Sequence, residues 1–132
     1  MSESDGFILR IATRQWVNQV FGTAIYFTNL RRNWKQGQTI LFVHKTTVGD
    51  ALVGYGLIER VCEKDELPGP DKDACERGDW KRALEFRYVR QFDKPLPVKE
   101  TFLKGSKLRG RLFHGFKLNK NQLKDVLGQA EA

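Results

Sequence analysis

Apolar and polar residues alternate along much of the chain, and this alternation predicts a domain built mainly of β-strands. Near the start, Phe7, Leu9 and Ile11 stand two positions apart, which is typical of a strand with one buried face. Further apolar runs are bounded by turn residues. The predicted strands are residues 7–11, 39–44, 51–61, 82–92 and 111–116.

Two glycines lie within the predicted strand 51–61, at Gly54 and Gly56, and therefore on one face. Paired glycines inside a strand indicate sharp curvature or the close approach of another group, as at the bend of a small closed barrel. We therefore expect a curved sheet. In residues 82–92 the alternation is clear, and we expect Pro95 and Pro97 to end that strand.

Two short helices are predicted between the first two strands. The first is capped by Thr13, carries an apolar stripe that includes Trp16, and ends at Gly22. The second extends from Asn29 as N-cap to Gly37. Both are too short to be stable alone, so they need a sheet to pack against.

A third helix is predicted at the C-terminal end. Asn119 and Gln122 have the spacing of a capping box, in which each side chain accepts a hydrogen bond from the other residue's backbone N–H. Leu118 and Leu123 occupy the hydrophobic-staple positions, and Gly128 is expected to end the helix.

The segment 63–79 differs in composition from the rest of the chain. It contains seven acidic residues, Pro68, Pro70 and two glycines. Such a composition favours a solvent-exposed acidic loop that makes no contribution to the core.

The chain has the length and composition of one domain. Its 132 residues are 40% apolar, enough to bury a core without metals or cross-links, so we expect a single domain over residues 1–132. It has no apolar run of about 20 residues and no signal-peptide pattern, which favours a cytoplasmic protein without membrane association. Cys62 and Cys75 lack the CxxC spacing and are expected to be free thiols.

Positive charge is concentrated at the two ends of the chain. The net charge is +7: residues 1–45 carry six basic and two acidic residues, residues 46–98 nine and eleven, and residues 99–132 eight and three. If the two ends meet in space they form one positive face, which suits a polyanionic partner such as RNA or DNA. A generally basic, well-solvated surface is the alternative.

Two basic segments contain the candidate nucleic-acid-binding residues. In residues 29–37 three cations surround an indole, so the cations can neutralise phosphates while the ring stacks on an unpaired base. Residues 99–124 carry eight basic residues against one acidic residue and can follow a phosphate backbone. The candidates are Arg31, Arg32, Trp34, Lys35, Lys107, Arg109 and Arg111. The alternatives are an inward-facing Trp34 and a solvated basic loop.

Histidines and aromatic residues add candidates for a pocket. His44 and His114 each end a predicted strand and are candidate polar groups at a pocket mouth, but two histidines without a third ligand do not indicate a zinc site. We expect no cofactor. A cage for a flipped or modified base needs two or three rings, and the candidate rings are Trp16, Trp34, Trp80, Tyr26 and Tyr55. For Trp16 and Trp80, packing in the core is the favoured alternative.

An enzymatic function is the second hypothesis. Lys45 as base, Thr46 or Thr47 as nucleophile, and Glu85 or Glu59 as orienting carboxylate would make a small hydrolase of the amidohydrolase type, acting on a modified nucleoside. No spacing in the sequence requires that arrangement. The common hydrolase, nucleotide-binding and calcium-binding motifs are absent from the sequence.

The central and C-terminal parts of the chain resemble the PUA-like superfamily, especially its EVE branch and more distantly ASCH and YTH domains. The resemblance rests on Trp34, the following KQG turn, the strand 39–44 and the motif VGYGLIERV at 53–61. Residues 111–127 are similar to the closing strand and helix of those domains. Gln38 stands where an aspartate is usual, and the GxKxxExR signature of ASCH domains is absent.

This resemblance implies an α+β fold, a mixed β pseudo-barrel of five or six strands flanked by short helices, with a C-terminal helix. It also implies recognition of RNA or DNA, often of a modified base held by aromatic side chains in a basic cleft. By position, it places Trp34, His44 and Lys45 at the pocket. We therefore expect a nucleic-acid-binding module in which the cations bind phosphates and this pocket accepts a base.

Overall fold

The computed structural model describes residues 6–30, 34–47, 49–101 and 114–130. Within these ranges the chain forms one six-stranded sheet and three α-helices. The strands are β1 (Gly6–Arg10), β2 (Ile25–Thr28), β3 (Thr39–Thr46), β4 (Gly49–Glu63), β5 (Arg82–Pro97) and β6 (Phe116–Leu118). The helices are α1 (Arg14–Thr23), α2 (Gly69–Arg77) and α3 (Lys120–Ala130). None of these helices is long and apolar enough to cross a bilayer.

The sheet is mixed and strongly curled. Its order is β2-β5-β4-β3-β1-β6, with β1 and β3 parallel and the other neighbouring strands antiparallel. The pairing shifts between Phe42 and Val43 on β3 and at three places along β4 and β5. Such irregularities bend strands and increase their twist. The predicted α+β architecture, a mixed curved sheet with flanking helices and a C-terminal helix, is confirmed.

Both faces of the central strands are buried. Phe7 and Leu9 of β1 face a core that includes Val17 and Val20 of α1. Ile8, between them, has 0% of its surface exposed and belongs to a second core with residues of α3. The prediction that β1 has one solvent-exposed face is wrong, because α3 folds back from the far end of the chain and covers that face.

The paired glycines of β4 lie where neighbouring groups approach closely, as predicted. A Cβ atom at Gly54 would collide with the backbone oxygen of Arg90 and lie 2.5 Å from Cζ of Phe21 on α1. At Gly56 it would lie 2.9 Å from the ring of Phe86. Any side chain at these positions would therefore push β4 away from β5 and α1.

The first helix begins as predicted and ends slightly later. The Thr13 hydroxyl accepts a hydrogen bond from the backbone N–H of Trp16 at 3.3 Å. The helix continues through Gly22 to Thr23, and Ala24 then takes a left-handed conformation with φ of 60°. Since the Ala24 N–H bonds to Val20, the cap forms without glycine.

The predicted helix over residues 29–37 is not present in the residues that can be described. Residues 29, 30 and 34–38 are not helical, and residues 31–33 lie outside the described ranges. The side chain of Asn29, the expected N-cap, donates instead to the backbone oxygen of Asp79 at 3.0 Å. A tertiary contact has thus replaced the local one.

The C-terminal helix has the predicted capping box. The Asn119 side chain accepts from the Gln122 backbone N–H at 2.8 Å, and the Gln122 side chain accepts from the Asn119 backbone N–H at 3.0 Å. Leu118 and Leu123 are buried. The helix continues beyond Gly128 to Ala130.

Two predicted strand boundaries are also shifted. The strand β5 does not stop before its prolines but pairs with β4 as far as Pro97, which lies opposite Ala51. Proline is tolerated where its missing N–H is not needed for the ladder. The final strand is residues 116–118, and residues 111–113 of the predicted strand lie outside the described ranges.

The acidic segment 63–79 is more ordered than a loop and contributes two residues to the core. It forms a 3-10 turn (Lys64–Glu66) and α2. Leu67 and Cys75 are buried against a small cluster that includes Phe27 and Cys62. The expectation that no part of this segment is core is wrong for these two residues. The two cysteines are free thiols, as expected, and burial raises the pKa of both.

The glycines allow a matched test of the sheet curvature. We expect Gly54→Ala to lower the free energy of unfolding by about 1–3 kcal/mol, because the new Cβ overlaps backbone as well as the Phe21 ring. Gly22→Ala is the control, because the Cβ atom that it adds would have no neighbouring atom within 4 Å outside its own helix. Since it lies in a helix, that change should stabilise the protein by up to about 1 kcal/mol. Denaturant unfolding of both variants is the measurement, and equal effects would contradict the close approach at Gly54.

Candidate functional site

A cleft of about 550 Å³ opens between the end of β1, one face of α1 and the strand β2. This volume lies within the range of small-molecule sites, about 300–1,000 Å³. Trp16, Gln19 and Val20 project into it from α1 at helical spacing. The other walls are residues 10–12, residues 26–30, Trp80 and His114.

The cleft lies where the curled sheet fails to close. Although β5, β4 and β3 separate β2 from β1 in the sheet, the Tyr26 hydroxyl on β2 donates a hydrogen bond to the backbone oxygen of Arg10 on β1 at 2.7 Å. Burial raises the pKa of Tyr26 above its usual value, and the nearby Arg10 guanidinium opposes this with a smaller effect. The phenol is therefore a neutral donor that ties the two strands together.

Aromatic rings form one wall of the cleft. Trp16 and Trp80 meet edge to face with centroids 4.7 Å apart, and Trp80 stacks on Phe27 at 5.5 Å with 12° between the planes. The Trp80 backbone N–H donates to the backbone oxygen of Cys75, in the last turn of α2, at 2.9 Å. Gly78 leaves room for the indole, because a Cβ there would overlap it. The acidic segment thus positions an aromatic wall.

A buried arginine holds the rim of the cleft. Arg82 is 5% exposed, and its Nη1 donates to the backbone oxygens of Asn29 at 3.0 Å and Leu30 at 3.2 Å. Its Nε donates to a carboxylate oxygen of Glu63 at 3.2 Å. The Leu30 oxygen also accepts from the Trp34 indole N–H at 3.3 Å. Residues 29–30 therefore have a fixed path across the cleft opening.

The polar lining of the cleft is cationic and neutral. Arg10 lies at the end of β1, and its backbone N–H donates to Nδ1 of His114 at 3.0 Å. Because Nδ1 accepts this bond, the neutral His114 ring carries its proton on Nε2. Among the described residues that line the cleft, none is an aspartate or glutamate. The described lining thus favours a neutral or anionic ligand over a cation.

The residues predicted to bind nucleic acid fall into two groups. Those outside the described ranges, whose role stays a prediction, are Arg31, Arg32, Lys107, Arg109 and Arg111. Of the described ones, His114 lines the cleft, whereas Trp34, Lys35, His44 and Lys45 do not.

Two of these predicted pocket residues make contacts just outside the cleft. Trp34 packs edge to face on Phe7, with centroids 4.9 Å apart, and is half-buried against the α1 core. His44 Nδ1 lies 2.7 Å from the backbone oxygen of Ile11, so Nδ1 carries the proton that is donated. Lys45 is exposed on the following position of β3. Trp34, His44 and Lys45 are thus not gathered around the cleft described here.

The alternative catalytic residues are not brought together. Lys45 lies opposite Asp50 near the β3–β4 turn, where the Thr46 hydroxyl donates to the Gly49 backbone oxygen at 2.8 Å. Glu85 lies beside Arg60, 2.7 Å from its guanidinium. Residues 50 and 60 are ten positions apart on β4, about 33 Å along an extended strand. The fold therefore places the lysine and the carboxylate at opposite ends of β4.

Sequence reasoning identified part of the cleft and missed its cation. Trp16, Tyr26 and Trp80 were among the candidate rings for a base cage. Arg10 was overlooked, although the signal was present: a single charged residue at the end of an otherwise apolar strand. Gln19 gave no signal, since polar residues on short helices are common.

Comparison with known proteins identifies the fold. No protein-family model and no curated protein matches the chain. Among solved structures, ASCH from Zymomonas mobilis superposes with a TM-score of 0.65 at 12% identity, covering 93% of this chain and 94% of that one. The YTH domain of Zygosaccharomyces rouxii MRB1 protein, in complex with N6-methyladenosine RNA, superposes with a TM-score of 0.61 at 11% identity, covering 100% and 89%.

A second YTH domain, in complex with m6A, gives a TM-score of 0.55 at 9% identity, covering 100% of this chain and 86% of that one. At such low identities the likeness concerns the fold. The fold expected from the sequence resemblance is confirmed, and its assignment to the EVE branch stays a prediction.

The Tyr26 contact has a measurable pH signature. Tyr26→Phe should lower the free energy of unfolding by about 1–2 kcal/mol at neutral pH, because the Arg10 backbone oxygen loses its hydrogen-bond donor. In the wild type, the unfolded chain ionises this phenol near pH 10 while the folded chain keeps it neutral, so stability is lost as pH rises above about 10. Denaturant unfolding at pH 9 and 11 should show a smaller loss in the variant, and equal losses would contradict the buried phenol.

Arg82 provides a test of the rim. Arg82→Met should cost about 1–3 kcal/mol, because two backbone oxygens lose a charged donor while the Glu63 carboxylate can return to water. Arg87→Met is the matched control, since Arg87 is exposed and pairs with exposed Glu59. Its effect should stay within about 0.5 kcal/mol. Thermal and denaturant unfolding compare the two variants. If Arg82→Met were as stable as the wild type, the role of Arg82 in holding residues 29–30 would be contradicted.

Proposed function

We propose that this chain, which has the PUA-like fold shared by ASCH and YTH domains, is a nucleic-acid-binding module whose cleft accepts an unpaired base. The observation that carries the proposal is the cleft itself, in which Trp16 and Trp80 form an aromatic wall beside Arg10. Aromatic rings stack on the faces of bases, contributing about 1–3 kcal/mol per base.

The charge distribution supports a polyanionic ligand. The chain carries a net charge of +7, and no carboxylate is found among the described lining residues. In this proposal the phosphates on either side of the bound base are contacted by the basic segments, and the candidate contacts are Arg31, Arg32, Lys35, Lys107, Arg109 and Arg111. Such contacts make affinity fall steeply with salt.

The structural neighbours support RNA, and a modified base, as the ligand. Both YTH domains were solved with N6-methyladenosine or RNA containing it. In this proposal the base enters between the α1 face and residues 26–30, where a cleft of about 550 Å³ leaves space for added substituents. Single-stranded DNA is the second polymer to test, because stacking alone does not distinguish the two sugars.

A fluorescence titration locates the bound base. Trp16→Leu should weaken binding of a single-stranded RNA hexamer about tenfold or more, because it removes a stacking surface from the cleft. Trp34→Phe keeps the packing on Phe7 and should have a much smaller effect. The opposite order would place the base at the predicted pocket formed by Trp34, His44 and Lys45.

The same titration should be made with RNA and DNA hexamers at 50 and 200 mM salt. We expect affinity to drop as salt rises, since neutralised phosphates release counterions. An absence of binding at low salt, or affinity that does not respond to salt, would refute the proposed function.

A further inference from the structure

Two residues that line the cleft each carry a buried polar side-chain atom that has no hydrogen-bond partner. Among the described residues, two buried side-chain atoms lack any hydrogen-bond partner: Nε of Arg10 and Oε1 of Gln19. Both residues line the same cleft. Buried polar groups are almost always paired, so an unpaired group on each of two residues of one cleft makes both residues candidates for ligand binding.

The orientation of the Gln19 amide is fixed by its neighbour. The Thr23 hydroxyl donates its only proton to the Gln19 backbone oxygen at 2.8 Å and accepts from Gln19 Nε2 at 2.9 Å. If the amide were flipped, Oε1 would face an oxygen whose proton is already used. Oε1 is therefore the group left without a partner, and it can only accept.

Arg10 has no anionic partner in the described part of the chain. No carboxylate pairs with its guanidinium, which lies close enough to Tyr26 to influence the phenol. Leaving a buried donor of a charged group unpaired is unfavourable. An arginine at this position is therefore unfavourable for folding, and residues that are unfavourable for folding are typical of binding sites.

We propose that Arg10 and Gln19 together recognise one edge of a planar ligand, with Arg10 donating to an acceptor and Gln19 accepting from an adjacent donor. This rests on the proposed function and specifies its ligand class: a nucleobase whose hydrogen-bonding edge enters the cleft while its face stacks on Trp16. An acceptor next to a donor is what the Watson–Crick edge of every base presents. A phosphate has acceptors only, so it would leave Gln19 Oε1 unpaired.

Binding requires a small movement of the two side chains. Neither orphan atom is accessible to water in the structure, so a ligand atom reaches them only when the side chains turn towards the cleft. Both side chains have several rotatable bonds, and the Gln19 movement gives up the 2.9 Å hydrogen bond from its Nε2 to Thr23. The hydrogen bonds formed with the ligand then satisfy these two groups.

Paired substitutions test the protein side of this proposal. Gln19→Met keeps side-chain length and removes the acceptor, and Arg10→Met keeps the apolar part of the side chain and removes the donor. Each should weaken binding of the RNA hexamer about tenfold. The melting temperature of Gln19→Met should equal that of the wild type. The melting temperature of Arg10→Met should equal or exceed it, because an unsatisfied buried group is removed. Arg87→Met, which removes one exposed charge away from the cleft, is the control for general electrostatic effects. A fall in melting temperature with unchanged affinity would show a purely structural role and overturn the proposal.

Paired nucleosides test the ligand side. Uridine is compared with 3-methyluridine, and adenosine with N6,N6-dimethyladenosine, since each methylated compound lacks the donor on that edge. For the nucleoside that the wild type binds, methylation should weaken binding to the wild type but make little difference to Gln19→Met. Equal discrimination by both proteins would overturn the role of Gln19.

The outcomes distinguish this inference from the function on which it rests. If Trp16→Leu loses binding while Arg10→Met and Gln19→Met bind normally, the base-binding function stands and the edge recognition is wrong. If the wild-type protein binds neither hexamers nor nucleosides, both proposals are wrong.

Discussion

The hydrogen bond from the Tyr26 hydroxyl to the Arg10 backbone oxygen joins β2, at one edge of the sheet, to β1, with three strands between them in the sheet order. It forms only because β4 and β5 bend, and they bend where Gly54 and Gly56 leave room for neighbouring groups and where the pairing shifts. A flatter sheet would hold these two strands too far apart. The cleft is the space that remains where this contact, rather than a backbone ladder, connects β2 to β1.

The acidic segment 63–79 shows how a segment with no evident core pattern can organise a site. Leu67 and Cys75 anchor it, and the end of α2 then places Trp80 against Phe27 and Trp16. Its acidic charge is largely turned to solvent, apart from the ion pair of Glu63 with Arg82. Trp80, which directly follows this segment, consequently gives the cleft an aromatic wall, although the segment itself is acidic.

Local features of the sequence were read correctly where a few neighbouring residues determine the outcome. Thr13 caps α1, and Asn119 and Gln122 form the capping box of α3, because both motifs depend on side chains that bond to backbone within three residues. Boundaries were less accurate. The helix expected after Asn29 was wrong because its side chain and carbonyl bond to residues about 50 positions away, which no local pattern reveals.

The class of fold, the curvature of the sheet and the basic character of the chain could be predicted from the sequence, since alternation, glycine pairs and charge are properties of short segments and of composition. The position of the cleft could not be predicted in this way. Trp16, Trp80 and Arg10 come from three separate segments, and each had a plausible role in packing or at the surface when considered alone. They form a site because curling brings distant backbone together, and that arrangement depends on the summed packing of the whole sheet.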